Sequence, residues 1–246
     1  MTEALRLPRF SPADVVTAAN GLCGFLALLV LAGLWIVPPG EGLAHKELVA
    51  CLTLYGIGMV CDVVDGPIAH RFGSSGLGTY LDTISDTITF GLLPAALLVA
   101  RLQEDDGWMA VALIVACLYT LATMLRLARN AWLEHARAAS APGAPQPEFH
   151  GMPSPVGGNC VLAIVVLAPA PLLSAAVVVI VSVLLVANFP YPNNKTVVGT
   201  TYVAALLVLS FAALAGLISL KVPSVVALVG LLPIAVVRAL QTVFRD

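Results

Sequence analysis

Charge is scarce in this sequence. Only 11% of its 246 residues are Asp, Glu, Lys or Arg, about half the share of a soluble domain of that length. A basic excess is missing too: the formal net charge is -2, which removes the electrostatic reason to expect a nucleic-acid partner. The five cysteines (Cys23, Cys51, Cys61, Cys117, Cys160) form no CxxC pair and all lie in apolar stretches, where they read as small buried thiols. His45, His70, His135 and His150 show no metal-ligand spacing. A cleavable signal peptide is not expected. Arg6 and Arg9 precede an apolar run from Ala13 to Val37 that is too long for a signal h-region and has no clear small-residue cleavage site.

What is present is apolar surface: 59% of residues are hydrophobic and the mean hydropathy is +0.97, which places the chain in the membrane class. Roughly 20 apolar residues cross the hydrocarbon core as a helix. That length predicts eight spans, Ala13–Val37, Glu47–His70, Gly78–Ala100, Trp108–Arg129, Pro153–Ala168, Pro171–Phe189, Val198–Leu220 and Val222–Gln241. Pro38-Pro39-Gly40, Gly73–Gly76, Glu104–Gly107 and Pro190–Lys195 punctuate them. The fifth and sixth, joined by Pro169-Ala170-Pro171, are either a tight hairpin or one kinked segment. Residues 138 to 150 are Ala/Pro-rich and polar, as expected of a flexible loop. With the N-terminus inside, the inside group is Arg6, Arg9, Arg71, Arg126, Arg129, Arg137, Lys195, Arg238 and Arg245, and the outside group Lys46, Arg101 and Lys221. Nine against three predicts cytoplasmic termini. The whole chain, residues 1–246, reads as a single all-α membrane domain.

Four carboxylates contradict their surroundings. Asp62 and Asp65 fall in the cytoplasmic half of the second span, Asp82 and Asp86 in the first turns of the third. A carboxylate at a span centre costs about 2.5–3.5 kcal/mol on insertion scales, and four at one depth repel one another. Such a cluster needs bound cations, buried Lys/Arg, or protons. The i,i+3 and i,i+4 spacings put each pair on one helix face, and the short loop from Arg71 to Leu77 makes the helices antiparallel neighbours. Neither span has Lys or Arg beside the acids. Oxygen ligands of this kind suit Mg²⁺, Mn²⁺ or Ca²⁺. Gly66 and Gly78 beside them either pack helices closely or let a bulky ligand approach.

The stretch Asp62-Val-Val-Asp65-Gly66-Pro-Ile-Ala69, followed by Gly78-Thr-Tyr-Leu-Asp82-Thr-Ile-Ser-Asp86, resembles the signature of the CDP-alcohol phosphotransferases: Asp-x2-Asp-Gly-x2-Ala-Arg, a spacer of eight, then Gly-x3-Asp-x3-Asp. Further likeness is to the bacterial phosphatidylserine synthases of that family. It lies at Val16–Asn20 with Gly24, Thr87–Ala95, Leu125–Asn130, Gly151–Pro155 and Pro190–Pro192. Two features depart from the pattern. His70 stands at the signature Arg, with Arg71 next to it and the spacer one residue short, and Ala187 or Asn188 stands where the synthases usually carry Ser.

The resemblance implies a six-helix catalytic core, residues 13–190, with two added helices over 198–241, in a homodimer of the cell (inner) membrane whose active site faces the cytoplasm. It implies metal-dependent transfer of a phosphatidyl group from CDP-diacylglycerol to a small alcohol, most closely L-serine, with release of CMP. Asp62, Asp65, Asp82 and Asp86 would hold two Mg²⁺ or Mn²⁺ ions and Asp86 would be the general base. Asn20, Asp62, Asp65, Gly66, Ala69, Arg71 and Gly78 would seat the CDP, and Arg126 or Arg129 the acceptor's anionic group. The same chemistry with choline, glycerol phosphate or inositol phosphate is an alternative acceptor reading. A membrane prenyltransferase and a cation-coupled carrier rank below, because both Asp pairs flank one loop and no inverted repeat is evident.

Overall fold

The computed structural model describes residues 10–33, 43, 45–73, 75–140, 149–191, 206, 208–210, 212–214 and 216–243. These are helical except for connecting turns and one two-residue strand pairing. Five helices among them are long and apolar enough to cross a membrane.

Helix α1, Pro12–Leu31, starts where the sequence supplies a start. Ser11 caps it, with the Asp14 N–H donating to Ser11 Oγ at 3.3 Å and the Ser11 N–H donating to Asp14 Oδ2 at 2.6 Å. Pro12 occupies the first turn, where its missing N–H costs nothing. The expected extension to Val37 lies outside the described residues. Helix α2, His45–Phe72, runs 28 residues through Pro67, and helix α3, Gly78–Leu102, returns antiparallel to it.

A π-helical segment, Thr87–Leu92, interrupts α3 directly after Asp86. In α-register the Phe90 carbonyl would accept from the N–H of residue 94, which is proline and has none. The Tyr119 hydroxyl donates to that carbonyl instead, at 2.6 Å. The wide turn and its side-chain plug thus share one cause, Pro94, and such bulges often mark functional sites.

Helix α4, Met109–Ser140, is 32 residues long, about 48 Å at 1.5 Å per residue against a hydrocarbon core of about 30 Å. The helix therefore continues well past Arg129, where the span was expected to end, to Ser140; residues 141–148 of the expected loop lie outside the described residues. Ala131, Leu133, Glu134, Ala136, Ala138 and Ala139 are strong helix formers, and no Gly or Pro intervenes before Pro142.

Helices α5, Ser154–Leu167, and α6, Pro171–Val186, are two separate helices. Ala168 turns between them in the left-handed region, φ 48°, so the hairpin reading holds and the single kinked segment does not. At about 21 and 24 Å both are shorter than the hydrocarbon core. Most of α5 is buried in protein, with Cys160 and Val161 fully enclosed. Strand β1, Phe149–His150, pairs antiparallel with β2, Pro190–Tyr191, tying the entry of α5 to the exit of α6. Described helical residues at 206, 208–210 and 212–214 precede helix α7, Lys221–Val243, which packs on α5.

Close approach of α1 to α2 and α3 positions everything that follows. A Cβ on Gly24 would stand 2.5 Å from Thr89 Oγ1 and 2.8 Å from Thr89 Cα. A Cβ on Gly21 would meet Ser85 Oγ at 2.8 Å, and one on Gly58 would meet Asn20 Oδ1 at 2.9 Å. Small residues at such contacts let membrane helices touch backbone to backbone.

Candidate active site

Carboxylates from α2 and α3 converge. Oxygens of Asp62, Asp82 and Asp86 all lie within 4.8 Å of one another, Asp62 and Asp82 half-buried and Asp86 buried. Three negative charges so placed repel by roughly 3–4 kcal/mol per pair at an effective dielectric of about 20. Arg126 of α4, only 4% exposed, faces Asp86, Asp62 and Asp82. It carries one positive charge, and its Nη1 is already given to Ser154 Oγ at 2.7 Å. One guanidinium does not offset the cluster. The donor set, all oxygen and with two of its three carboxylates only half-buried, fits a divalent cation.

Asp65 lies one turn further along α2 and stands apart from that trio. Its Oδ2 accepts from Thr17 Oγ1 at 2.7 Å. Asn20 is fully buried; its Nδ2 donates to Asp86 Oδ1 at 3.1 Å, so the structure places it behind Asp86. Gly66 is exposed, and among the described residues nothing lies within 4 Å of a Cβ built on it. Helix packing therefore does not account for Gly66. A Cβ on Gly78 would find only Asp14 Oδ1, at an ordinary 3.6 Å. Ala69 is half-buried, and Arg71 is exposed at the end of α2 with its guanidinium 5.6 Å from the centre of the Phe72 ring.

The two arginines of α4 separate. Arg126 turns into the carboxylate cluster. Arg129 Nη1 donates to the Val186 carbonyl at 2.9 Å, where a cation suits the carbonyl end of α6. Arg126 Nε is a buried donor with no hydrogen-bond partner among the described residues.

Ser154 and Thr17 are the contacts that sequence reasoning missed. Ser154, fully buried at the start of α5, accepts from Arg126 and donates to Asp86 Oδ2 at 3.5 Å. Its flanking Pro153 and Pro155 and the nearby Gly151 were visible as a motif. Nothing in sequence connected a serine to an aspartate 68 residues earlier. Thr17 and Asn20, three apart on one face of α1, were polar positions in an apolar run and carried that weaker signal.

A family model described as CDP-alcohol phosphatidyltransferase matches residues 10–245. Among curated proteins, the chain is 26% identical over 181 residues to the CDP-diacylglycerol–serine O-phosphatidyltransferase of Methanocaldococcus jannaschii, covering 73% of each chain. It is 29% identical to the protein of the same description from Bacillus subtilis, covering 74% of this chain and 89% of that one. It is 26% identical to the archaetidylserine synthase of Methanothermobacter thermautotrophicus, covering 78% and 72%.

Proposed function

The chain belongs to the CDP-alcohol phosphatidyltransferase family, and on that footing we propose that it transfers the phosphatidyl group of CDP-diacylglycerol to the hydroxyl of L-serine, releasing CMP. The family makes it a transferase of substituted phosphate groups, and its apolar helices make it a multi-pass membrane protein. The observation that carries the reading is the convergence of Asp62, Asp82 and Asp86 beside a buried arginine.

In this reading the serine oxygen attacks the lipid-side phosphorus, its proton passes to Asp86, and the bond from that phosphorus to the CMP phosphate oxygen breaks. Two Mg²⁺ or Mn²⁺ ions held by Asp62, Asp65, Asp82 and Asp86 would offset the diphosphate charge and stabilise the leaving phosphate. Asn20 holds Asp86 Oδ1, which fixes the plane of the carboxylate for proton transfer. Gly66, exposed and with nothing among the described residues within 4 Å of a built Cβ, would let the nucleotide lie against the backbone, with Ala69, Gly78 and Arg71 completing its seat. Arg126 Nε offers an unspent buried donor for the carboxylate of an amino-acid acceptor. Arg129, spent on α6, supports that corner.

Placement of Arg71, Arg126 and Arg129 at the same end of the bundle favours a cytoplasmic active site in the inner membrane. The family resemblance favours a homodimer of 13–190 cores with added C-terminal helices. The test is an acceptor screen with purified protein, CDP-diacylglycerol and Mn²⁺. Serine is expected to yield CMP and a serine phospholipid in equal amounts. Equal turnover with glycerol phosphate, inositol phosphate or choline would remove serine as the acceptor.

A further inference from the structure

We propose that Ser154 is a positioning residue: it is a spacer that holds Arg126 one hydrogen bond away from Asp86 and so keeps the Asp86 oxygens available to a cation. The proposal rests on the metal-binding reading of the aspartates and deepens it.

The direction of the hydrogen bonds follows from chemistry. A guanidinium only donates, and a serine hydroxyl has one hydrogen to give. Arg126 Nη1 donates into Ser154 Oγ at 2.7 Å, so the serine's own hydrogen points on to Asp86 Oδ2 at 3.5 Å. Ser154 is not spent on its helix: Pro153 is the N-cap of α5, and no side-chain cap bond is made there. The hydroxyl is fully buried, and Asp86 and Arg126 are 5% and 4% exposed, so solvent cannot take its place.

The backbone around Ser154 is fixed on both sides. The Gly151 N–H donates to the Phe189 carbonyl at 2.9 Å and the Met152 N–H to the Leu184 carbonyl at 3.0 Å. Gly151 sits at φ +80°, and a Cβ on it would stand 2.8 Å from the carbonyl oxygens of Leu185 and Ala187. The serine oxygen is therefore held in place by the junction of α5 and α6, independently of the aspartates it serves.

Without that oxygen, a buried guanidinium beside a carboxylate pairs with it directly, often through two parallel hydrogen bonds. Such a pair would fill the lone pairs of Asp86 that a cation needs. Asn20 already takes one on Oδ1. A direct Arg126–Asp86 ion pair would thus compete with the metal, whereas the serine relay lends Asp86 the field of Arg126 at a distance.

The test measures Mn²⁺ binding to the purified full-length chain by electron paramagnetic resonance, without lipid, together with the melting temperature. Ser154→Ala is expected to weaken Mn²⁺ binding about 10- to 100-fold, the range for residues that support metal ligands. In an Arg126→Met background the same substitution is expected to change Mn²⁺ affinity by no more than about twofold, the scatter of independent sites. A serine that only glues α5 to α4 would lower the melting temperature and leave Mn²⁺ affinity alone. Wild-type affinity in Ser154→Ala, or an undiminished loss in the Arg126→Met background, overturns the spacer role. If the wild-type chain itself binds no Mn²⁺, the metal reading fails first and the spacer role with it. Ser154→Cys, which keeps the volume but is a poor acceptor, carries the same comparison where Ser154→Ala does not fold.

Discussion

At the scale of single residues, the site is a set of acids whose supports come from distant parts of the chain. Asp86 is bonded by Asn20 from 66 residues before it and by Ser154 from 68 residues after it. Replacing Asp86 with Asn keeps the shape and removes both a proton acceptor and a ligand charge. CMP release is expected to fall by about 10²- to 10⁴-fold, the usual worth of a positioned acid or base, as measured with Mn²⁺ at saturating serine. Gly66 gives a complementary expectation. Among the described residues nothing lies within 4 Å of its missing Cβ, and alanine favours a helix over glycine by about 0.8–1 kcal/mol. Gly66→Ala should therefore not lower the melting temperature, while its methyl group intrudes on the proposed nucleotide face and raises the KM for CDP-diacylglycerol. A lower melting temperature with unchanged KM would make Gly66 a packing residue after all. The four aspartates were legible in sequence because ionised groups in apolar spans are rare. Ser154, Thr17 and Asn20 were less so, because a neutral polar residue in a membrane helix often satisfies itself on its own backbone, as Thr83 does on the Thr79 carbonyl at 2.9 Å.

At the scale of elements, close contacts of α1 with α3 and the π segment hold the acids in place. Gly24→Val forces α1 off Thr89, where a Cβ would already stand 2.5 Å from Oγ1, and overpacking of this sort costs about 1–3 kcal/mol. Tyr119→Phe leaves the Phe90 carbonyl buried without its side-chain donor, at about 1–3 kcal/mol. Both should lower the melting temperature in detergent; an unchanged value for Tyr119→Phe would show that the π segment needs no plug. Hydropathy found α1, α2, α3 and α7 to within several residues where they are described, because twenty apolar residues leave little choice. It stopped short of the end of α4, since polar helix formers extend a helix without adding to its hydropathy. It left α5 and α6 open between two readings. Ala168 sits in the left-handed region although a following proline favours extended backbone, so single residues do not advertise the turn.

At the scale of the whole molecule, every proposed site residue lies at one end of the bundle: the N-terminal part of α1 and the starts of α3 and α5, with the C-terminal halves of α2 and α4. The loop from Gln103 to Trp108 lies at the other end. In a chain with its native cysteines replaced, Asp106→Cys should react with a membrane-impermeant maleimide on intact spheroplasts and His135→Cys only after lysis; the reverse pattern would invert the orientation. Divalent metal on the converging carboxylates is what phosphatidyl transfer requires in the proposed reading. CMP release from CDP-diacylglycerol by the purified chain with serine, titrated with Mn²⁺ after chelation, tests this for wild type and Asp82→Asn side by side. The expected result is release that is absent after chelation, restored by Mn²⁺, and in Asp82→Asn either lost or shifted to much higher metal concentration. Metal-independent release, or an Asp82→Asn titration that overlays the wild type, would contradict it.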